Sequence, residues 1–433
     1  MTPTLQADPD CARPASGQPP APRTAEPGSR ASRFGAERVA FEAIEPATWD
    51  GFARLNPYAT PFSRWAFQRA WWDAYGENAV ADTLRIVDPA AGSRTVAVVP
   101  LMHRHVVEPS DAVTHTRIRH GHEANLTPVA PTACAIYFGA SYHADYATIL
   151  ASPADMPRVA DAVADHFARE LFVDEIHPEP WDAVDLRRLR SVDPAVDALG
   201  AAFGAREMAS RWTLNVERED VCPVVRIPEG ADLDGYLAML GKKERHEIRR
   251  KVRRAQNAGE VELAESTDPV GDLESFIDLH QRRWGDDGLF PATKGGDQSR
   301  VFFRRMFELF GERSTAPDAS PQDPSLHLAF LTVGGRRVGA AVFFETPGGL
   351  LYYNAGLDPD ARELSPGIVL LERLVRRAIE RGKCRVDLMR GDEAYKYEWG
   401  AVDEPIQRLL VRRTPGGGLE GPDPAPDVEP RTR

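Results

Sequence analysis

The sequence predicts a mixed α/β (α+β) protein made of two related halves, each a mixed twisted sheet flanked by helices. Three observations predict it. Short strand-like apolar runs alternate with stretches of helical period, the order of these elements in the first half recurs in the second, and both ends of the chain drop out of the pattern. A chain of 433 residues that is 42% hydrophobic and 27% charged can bury more than one core, which suits two halves better than one.

Residues 1–34 are rich in Pro, Ala and Ser and contain no apolar run of signal-peptide type, so a disordered leader is expected. The first half, 35–220, offers a helix over 64–75 through Trp65, Phe67, Trp71 and Trp72, strands at 83–87 and 95–105, a helix at 155–171 and a strand at 172–176. The second half, 221–413, offers a helix at 299–310, strands at 326–333, 337–345 and 350–354, a helix from Ser365, and a strand at 384–389. Pairing 64–75 with 299–310 and 95–105 with 337–345 gives an offset of about 240 residues, as a diverged duplication would. Residues 314–325 read as a surface insertion that leaves the core undisturbed, and the Pro/Gly-rich 414–433 as a disordered tail.

No apolar run reaches the roughly 20 residues that span a bilayer, so the cytoplasm is the default location. The four cysteines are scattered, without CxxC spacing or the density of a disulfide scaffold. A net charge of -12 argues against a coat for duplex nucleic acid, whose binding is dominated by neutralising phosphates. His103, His105, His115, His120 and His122 lack the carboxylate and cysteine partners of a recognisable metal set. They read as the polar face of an edge strand and its loop, and no metal is expected.

The helix from Ser365 is the best defined element. Ser365 suits the N-cap, Pro366 the first turn and Gly382 the position past the end. Ile368, Leu371, Leu374, Val375, Ala378 and Ile379 form its apolar stripe. A strand and loop precede it, so the first free N–H groups, at Gly367 and Ile368, should emerge at a strand's C-terminal edge, where an anion such as a pyrophosphate can be held. Capping alone would account for the same residues in any helix.

The order Phe62-Ser63-Arg64-Trp65, Trp71-Trp72, Arg282-Arg283-Trp284, Tyr353-Asn354-Ala355-Gly356, Ser365-Pro366-Gly367 and 387–396 (DLMRGDEAYK) resembles the CelD/BcsL-type, BioF2-like acetyltransferases of the GNAT superfamily. The likeness is strongest from Lys242 onward. It implies tandem GNAT-like domains, the first degenerate and the second keeping the acyl-donor site. It further implies acetyl-CoA or another acyl-CoA as co-substrate, and direct attack by an amine or hydroxyl of a sugar, amino acid or cell-envelope precursor. One departure stands out: the usual Arg/Gln-x-x-Gly-x-Gly/Ala pyrophosphate loop is matched only loosely by Arg362, Ser365 and Gly367.

On that resemblance Ser365, Gly367, Ile368, Tyr353 and Asn354 are the donor-binding candidates. Asp387 or Asp392 is the candidate general base and Tyr395 the candidate acid, with a structural Asp387–Arg390 ion pair as the bland alternative. Lys396, Arg390, Trp284 and Arg249 are candidates for substrate binding. The basic stretch 242–254 carries eight Lys or Arg residues against Glu244 and Glu247, and is either a solvated helix face or a contact for an anionic acceptor or tRNA phosphates. That last option follows from a likeness to Fem-type peptidyltransferases, extended by Tyr395-Lys396-Tyr397-Glu398-Trp399-Gly400. A Fem-like transfer from aminoacyl-tRNA is the enzymatic alternative, and a non-catalytic partner in a polysaccharide pathway the other.

Overall fold

The structure, a computed structural model, describes residues 33–104, 126–130, 133–170 and 181–414. The expected strand at 172–176, His105, His115, His120 and His122, the tail after Thr414 and all but the last two residues of the expected leader lie outside them. Phe34, assigned to that leader, is buried under the Arg158 guanidinium.

In the first half β1 (Gly35–Arg38) leads to α1 (Pro46–Leu55), α2 (Trp65–Tyr75), β2 (Val80–Ala81), β3 (Leu84–Asp88), β4 (Arg94–Val99), β5 (Leu101–Arg104), β6 (Ala135–Phe138) and β7 (Leu150–Ala151). There follow α3 (Met156–Glu170), β8 (Ala183–Arg190), α4 (Pro194–Gly204), α5 (Glu207–Ser210) and the long β9 (Trp212–Arg226). The second half runs α6 (Leu233–Met239), α7 (Lys242–Ala258), β10 (Val261–Glu265), α8 (Leu273–Trp284), α9 (Lys294–Ser314), β11 (Ser325–Val333), β12 (Arg336–Glu345) and β13 (Gly349–Leu357). It ends with α10 (Pro366–Glu380), β14 (Arg385–Asp387), α11 (Ala394–Tyr397) and β15 (Val402–Arg413).

The described strands form a large sheet, β10-β11-β12-β13-β14-β9-β15-β8-β6-β5-β2, and a small one, β1-β3-β4-β7. The single strand expected over 95–105 is cut at Pro100, which has no N–H for a ladder, so that β4 serves the small sheet and β5 the large. Duplication is visible in the pairings. In the second half β12 pairs antiparallel with β13, and β13 parallel with β14 across the α10 crossover. In the first, β5 pairs antiparallel with β6, and β6 parallel with β8 across α3. The last strand of each half is exchanged: β9 completes β14, β15 completes β8, and the two pair with each other at the centre. The expected boundary at residue 220 therefore falls inside β9.

Packing welds the halves as well. Phe62, Phe67 and Trp71 share one core with Phe302, Phe303 and Phe344, where α2 lies against α9. On the other face of β13, α10 buries Leu371, Leu374, Val375 and Ala378 against β11 and β12. Gly382, at φ +66°, closes α10 as expected, with the next N–H, of Lys383, reaching back to Ala378 O at 2.8 Å. Gly356 lets α8 sit directly on β13, because a Cβ there would lie 2.6 Å from His280 N.

The insertion before β11 is pinned to the first half. Arg54 grips Asp323 with two hydrogen bonds of 2.8 Å, Arg64 adds a third at 3.0 Å, and Arg313 joins Asp318 to the buried Asp50. Burial raises the Asp323 pKa, but the Arg54 bonds, the Ser320 N–H and the Arg64 charge outweigh it and hold the carboxyl below its ordinary value. The Arg313 bond lowers Asp318 likewise. Stabilisation from groups depressed in this way is present above their unfolded value, 3.8, and is lost as pH falls through the folded one. Burial raises Asp50, so its share runs the opposite way. Amide protection across 315–324 should therefore drop as pH is lowered below about 3.8 while the strand amides of β12 stay protected, and uniform loss in both would contradict it.

Candidate active site

The site begins where two parallel strands part. β13 pairs with β14 only through Gly349, Leu350 and Leu351, and then runs on to Leu357 with no strand on that side among the described residues. A bulge drives the divergence: Val342 faces Asn354 and Phe343 faces Tyr352, so Tyr353 is the extra residue and the strand turns there. Strict alternation of Tyr352, Tyr353 and Asn354 is lost, and all three line a cavity of about 860 Å³ between the diverging strands.

At one end stands the N-terminus of α10. Ser365 is left-handed, φ +53°, and its hydroxyl does not cap the helix but accepts a 2.7 Å hydrogen bond from Arg254 of α7. Ile368 N–H turns back to Ser365 O at 3.0 Å, and Val369 N–H to the same oxygen at 3.2 Å. Among the described residues the expectation of two free donors therefore reduces to one, Gly367 N–H, since Pro366 has none. Around it the wall carries Lys251 and Arg362, with Arg283 lying over the Trp284 ring at 4.7 Å. The basic helix is thus a solvated face along most of its length, with Lys251 and Arg254 at this turn. Arg249 is elsewhere, exposed and paired with Asp234 at 2.8 Å.

At the other end the loop after β14 meets a segment of the first half, which contributes Tyr142, His143 and Asp145. Sequence reasoning missed all three; the only hint was the run of polar and aromatic residues at 141–146 (SYHADY). Arg390 pairs with Asp145 on the cavity wall, Nε to Oδ1 at 3.5 Å. Tyr353 ties the halves by donating its hydroxyl to His143 O at 3.0 Å.

Asp387 points away from the cavity. It is buried, accepting from Tyr146 Oη at 2.8 Å, Arg385 Nη2 at 2.7 Å and Met389 N at 3.0 Å, and burial raises its pKa. Its ion-pair partner is Arg385 and not Arg390. Asp392 is exposed and does not line the cavity, whereas Tyr395, also exposed, does. Lys396 reaches the cavity wall, yet its ammonium is spent: Nζ donates to Met389 O at 2.8 Å and to Arg390 O and Gly391 O at 2.9 Å, beside Glu393. A buried cation thus holds a loop containing two positive φ values, +60° at Met389 and +109° at Gly391.

Neither cavity histidine is free to take a proton. His280 accepts from Leu289 N at its Nε2 and so donates from Nδ1 to Ala355 O, both at 3.1 Å. His143 stacks on Phe302 and bonds Tyr75 Oη at 2.8 Å, with burial and then the Arg188 charge pushing its pKa down to about 3. The carboxylates Asp145, Asp287, Asp358 and Glu393 remain as lining groups, Asp358 being held by Arg282 at 2.7 Å. Among the described residues no group of three or more His, Cys, Asp or Glu could hold a metal, and His103 lies buried beside Cys134.

The corresponding place in the first half is filled. Ala147 bridges Leu189, Arg188 Nη1 donates to Ala144 O at 2.6 Å, and Asp185 holds Arg408 with bonds of 2.6 and 2.8 Å. A splayed parallel pair crossed by a helix, repeated and kept open once, defines a tandem GNAT fold.

Residues 242–397 match the family model described as Acetyltransferase (GNAT) domain. A crystal structure of FemX shares the fold, with TM-score 0.52 and 12% identity over 86% of this chain and 96% of that one. L-PGS from Bacillus licheniformis is similar at TM-score 0.48 and 10% identity, over 86% of this chain and 92% of that one. A tandem GNAT protein from the clavulanic acid biosynthesis pathway gives 0.45 and 11%, over 88% and 99%. No curated protein sequence matches significantly. No helix among the described residues is long and apolar enough to cross a membrane.

Proposed function

We propose that this protein transfers an acyl group from an acyl-CoA, acetyl-CoA in the simplest case, to an amine or hydroxyl acceptor by direct attack in the cavity between the halves. One observation carries the reading: the open β13/β14 gap ends on the Gly367 N–H, where Lys251, Arg254 and Arg362 gather positive charge. A pyrophosphate fits a helix N-terminus flanked by cations, and a pantetheine arm fits an extended strand edge that has lost its neighbour. The thioester carbonyl would then lie near the bulge, where backbone N–H groups favour the oxyanion of the tetrahedral intermediate. Protein groups orient the reactants and exclude water; no covalent intermediate is required.

Thermal unfolding with added donor tests this. Acetyl-CoA at about 100 times its Kd should contribute about 2.7 kcal/mol and raise the midpoint by several degrees. Stabilisation by an aminoacyl-tRNA with none by acetyl-CoA would replace this reading with Fem-like transfer. Stabilisation by neither would leave a GNAT-fold partner protein without transferase chemistry.

A further inference from the structure

Resting on that donor site, we infer that the acceptor is a free amino acid, held as a zwitterion by Arg390 and Asp145. These two side chains come from different halves and meet on the cavity wall at 3.5 Å, with side-chain exposures of 11% and 17%. Their spacing is longer than a tight ion pair, and both stand on rigid supports. Arg390 is carried by the loop whose carbonyls Lys396 grips. Asp145 sits between His143, whose carbonyl binds Tyr353 Oη, and Tyr146, whose hydroxyl binds Asp387, while Arg188 holds Ala144 O. A charge pair whose members are fixed separately and wetted from a cavity is a receptor for a ligand with the complementary pair. The ligand carboxylate takes the planar guanidinium and the ligand ammonium takes the carboxylate.

The position relative to the donor is right for transfer. Asp145 lines the same cavity as Tyr353 and stands two residues from His143, whose carbonyl accepts the Tyr353 hydroxyl at 3.0 Å, and its charge adds to burial in raising the Tyr353 phenol. An ammonium on Asp145 therefore sits beside the strand segment assigned to the thioester. The step balances as follows. Asp145 takes one proton from the ammonium, the amine nitrogen bonds the acyl carbon, and the C–S bond breaks as the tetrahedral intermediate collapses. The second nitrogen proton goes to the departing thiolate, giving the N-acyl amino acid and CoA thiol, and Asp145 returns its proton to water. An amino sugar or simple amine has no carboxylate for Arg390 and would leave that cation against a released Asp145.

Thiol release from acetyl-CoA, measured with the unmodified protein, tests the inference on α-amino acids, their carboxamides, their decarboxylated amines and glucosamine. A free amino acid should exceed its carboxamide in kcat/KM by about 50-fold, the size of one charge-assisted contact. Arg390→Gln should erase that ratio, while Asp145→Asn should lower kcat for every amine. Equal use of amino acid and carboxamide, or preference for glucosamine, overturns the inference and leaves the donor reading intact. A ratio unchanged in Arg390→Gln, with all rates lowered together, would make the pair a structural tie and overturn it too. Absence of any acetyl-CoA thermal shift removes the donor reading and this inference with it.

Discussion

Gly367→Glu should weaken acetyl-CoA binding by about 100-fold, or about 2.7 kcal/mol, with the unfolding midpoint of the free protein shifted by only a few degrees. The expected loss has two parts. A carboxylate at the first turn of α10 occupies the space in front of the single free N–H and repels the donor phosphates that Lys251 and Arg362 attract. Folding suffers less, because a Cβ at this position would meet just one neighbour, Leu357 Cδ1 at 3.1 Å, at the end of a flexible side chain. Helix propensity changes in favour of the variant, since glutamate is the better helix former by roughly 0.5 kcal/mol or more. Calorimetric titration with acetyl-CoA gives the affinity, and an unchanged Kd would place the phosphates elsewhere.

The fold was largely legible in the sequence, because local periodicity set the elements of the second half. Strands at 326–333, 337–345 and 350–354 and the helix from Ser365 were all found, each bounded by turn or cap residues. What escaped was set by long-range pairing. β8, β9 and β15 carry Arg188, Glu219 and Arg408 on buried faces, so their apolar alternation is broken by charges whose partners are distant in sequence, Ala144 O for Arg188, the Arg188 N–H for Glu219 and Asp185 for Arg408. Residues 315–324 looked loose because the arginines that hold them, Arg54 and Arg64, are more than 250 positions away. The helix start at one end of the cavity was readable from Ser365-Pro366-Gly367, as a turn followed by Pro is a local signal, although the Ser365 hydroxyl bonds Arg254 and does not cap the helix. The opposite end was not, since Asp145 and Arg390 meet only through the packing of one half against the other.

Lys396→Met is expected to cost about 3 kcal/mol in stability and at least 100-fold in kcat/KM, by freeing the loop instead of removing a contact with substrate. Methionine keeps the unbranched stem but leaves three buried carbonyls, those of Met389, Arg390 and Gly391, without their ammonium. Met389 then loses the bond to its carbonyl that helps its N–H bond to Asp387 hold it at φ +60°, a conformation that costs a non-glycine residue roughly 1–2 kcal/mol. As the loop relaxes, Arg390 leaves its station opposite Asp145 and the wall beside the bulge opens to water. Hydrogen exchange separates this from direct participation. Faster exchange confined to 388–392, with β12 and α10 still protected, is the signature of a broken clamp. Equal exchange in variant and parent, together with the same loss of turnover, would mean that the ammonium itself meets the substrate and that its three carbonyl bonds are released when substrate arrives.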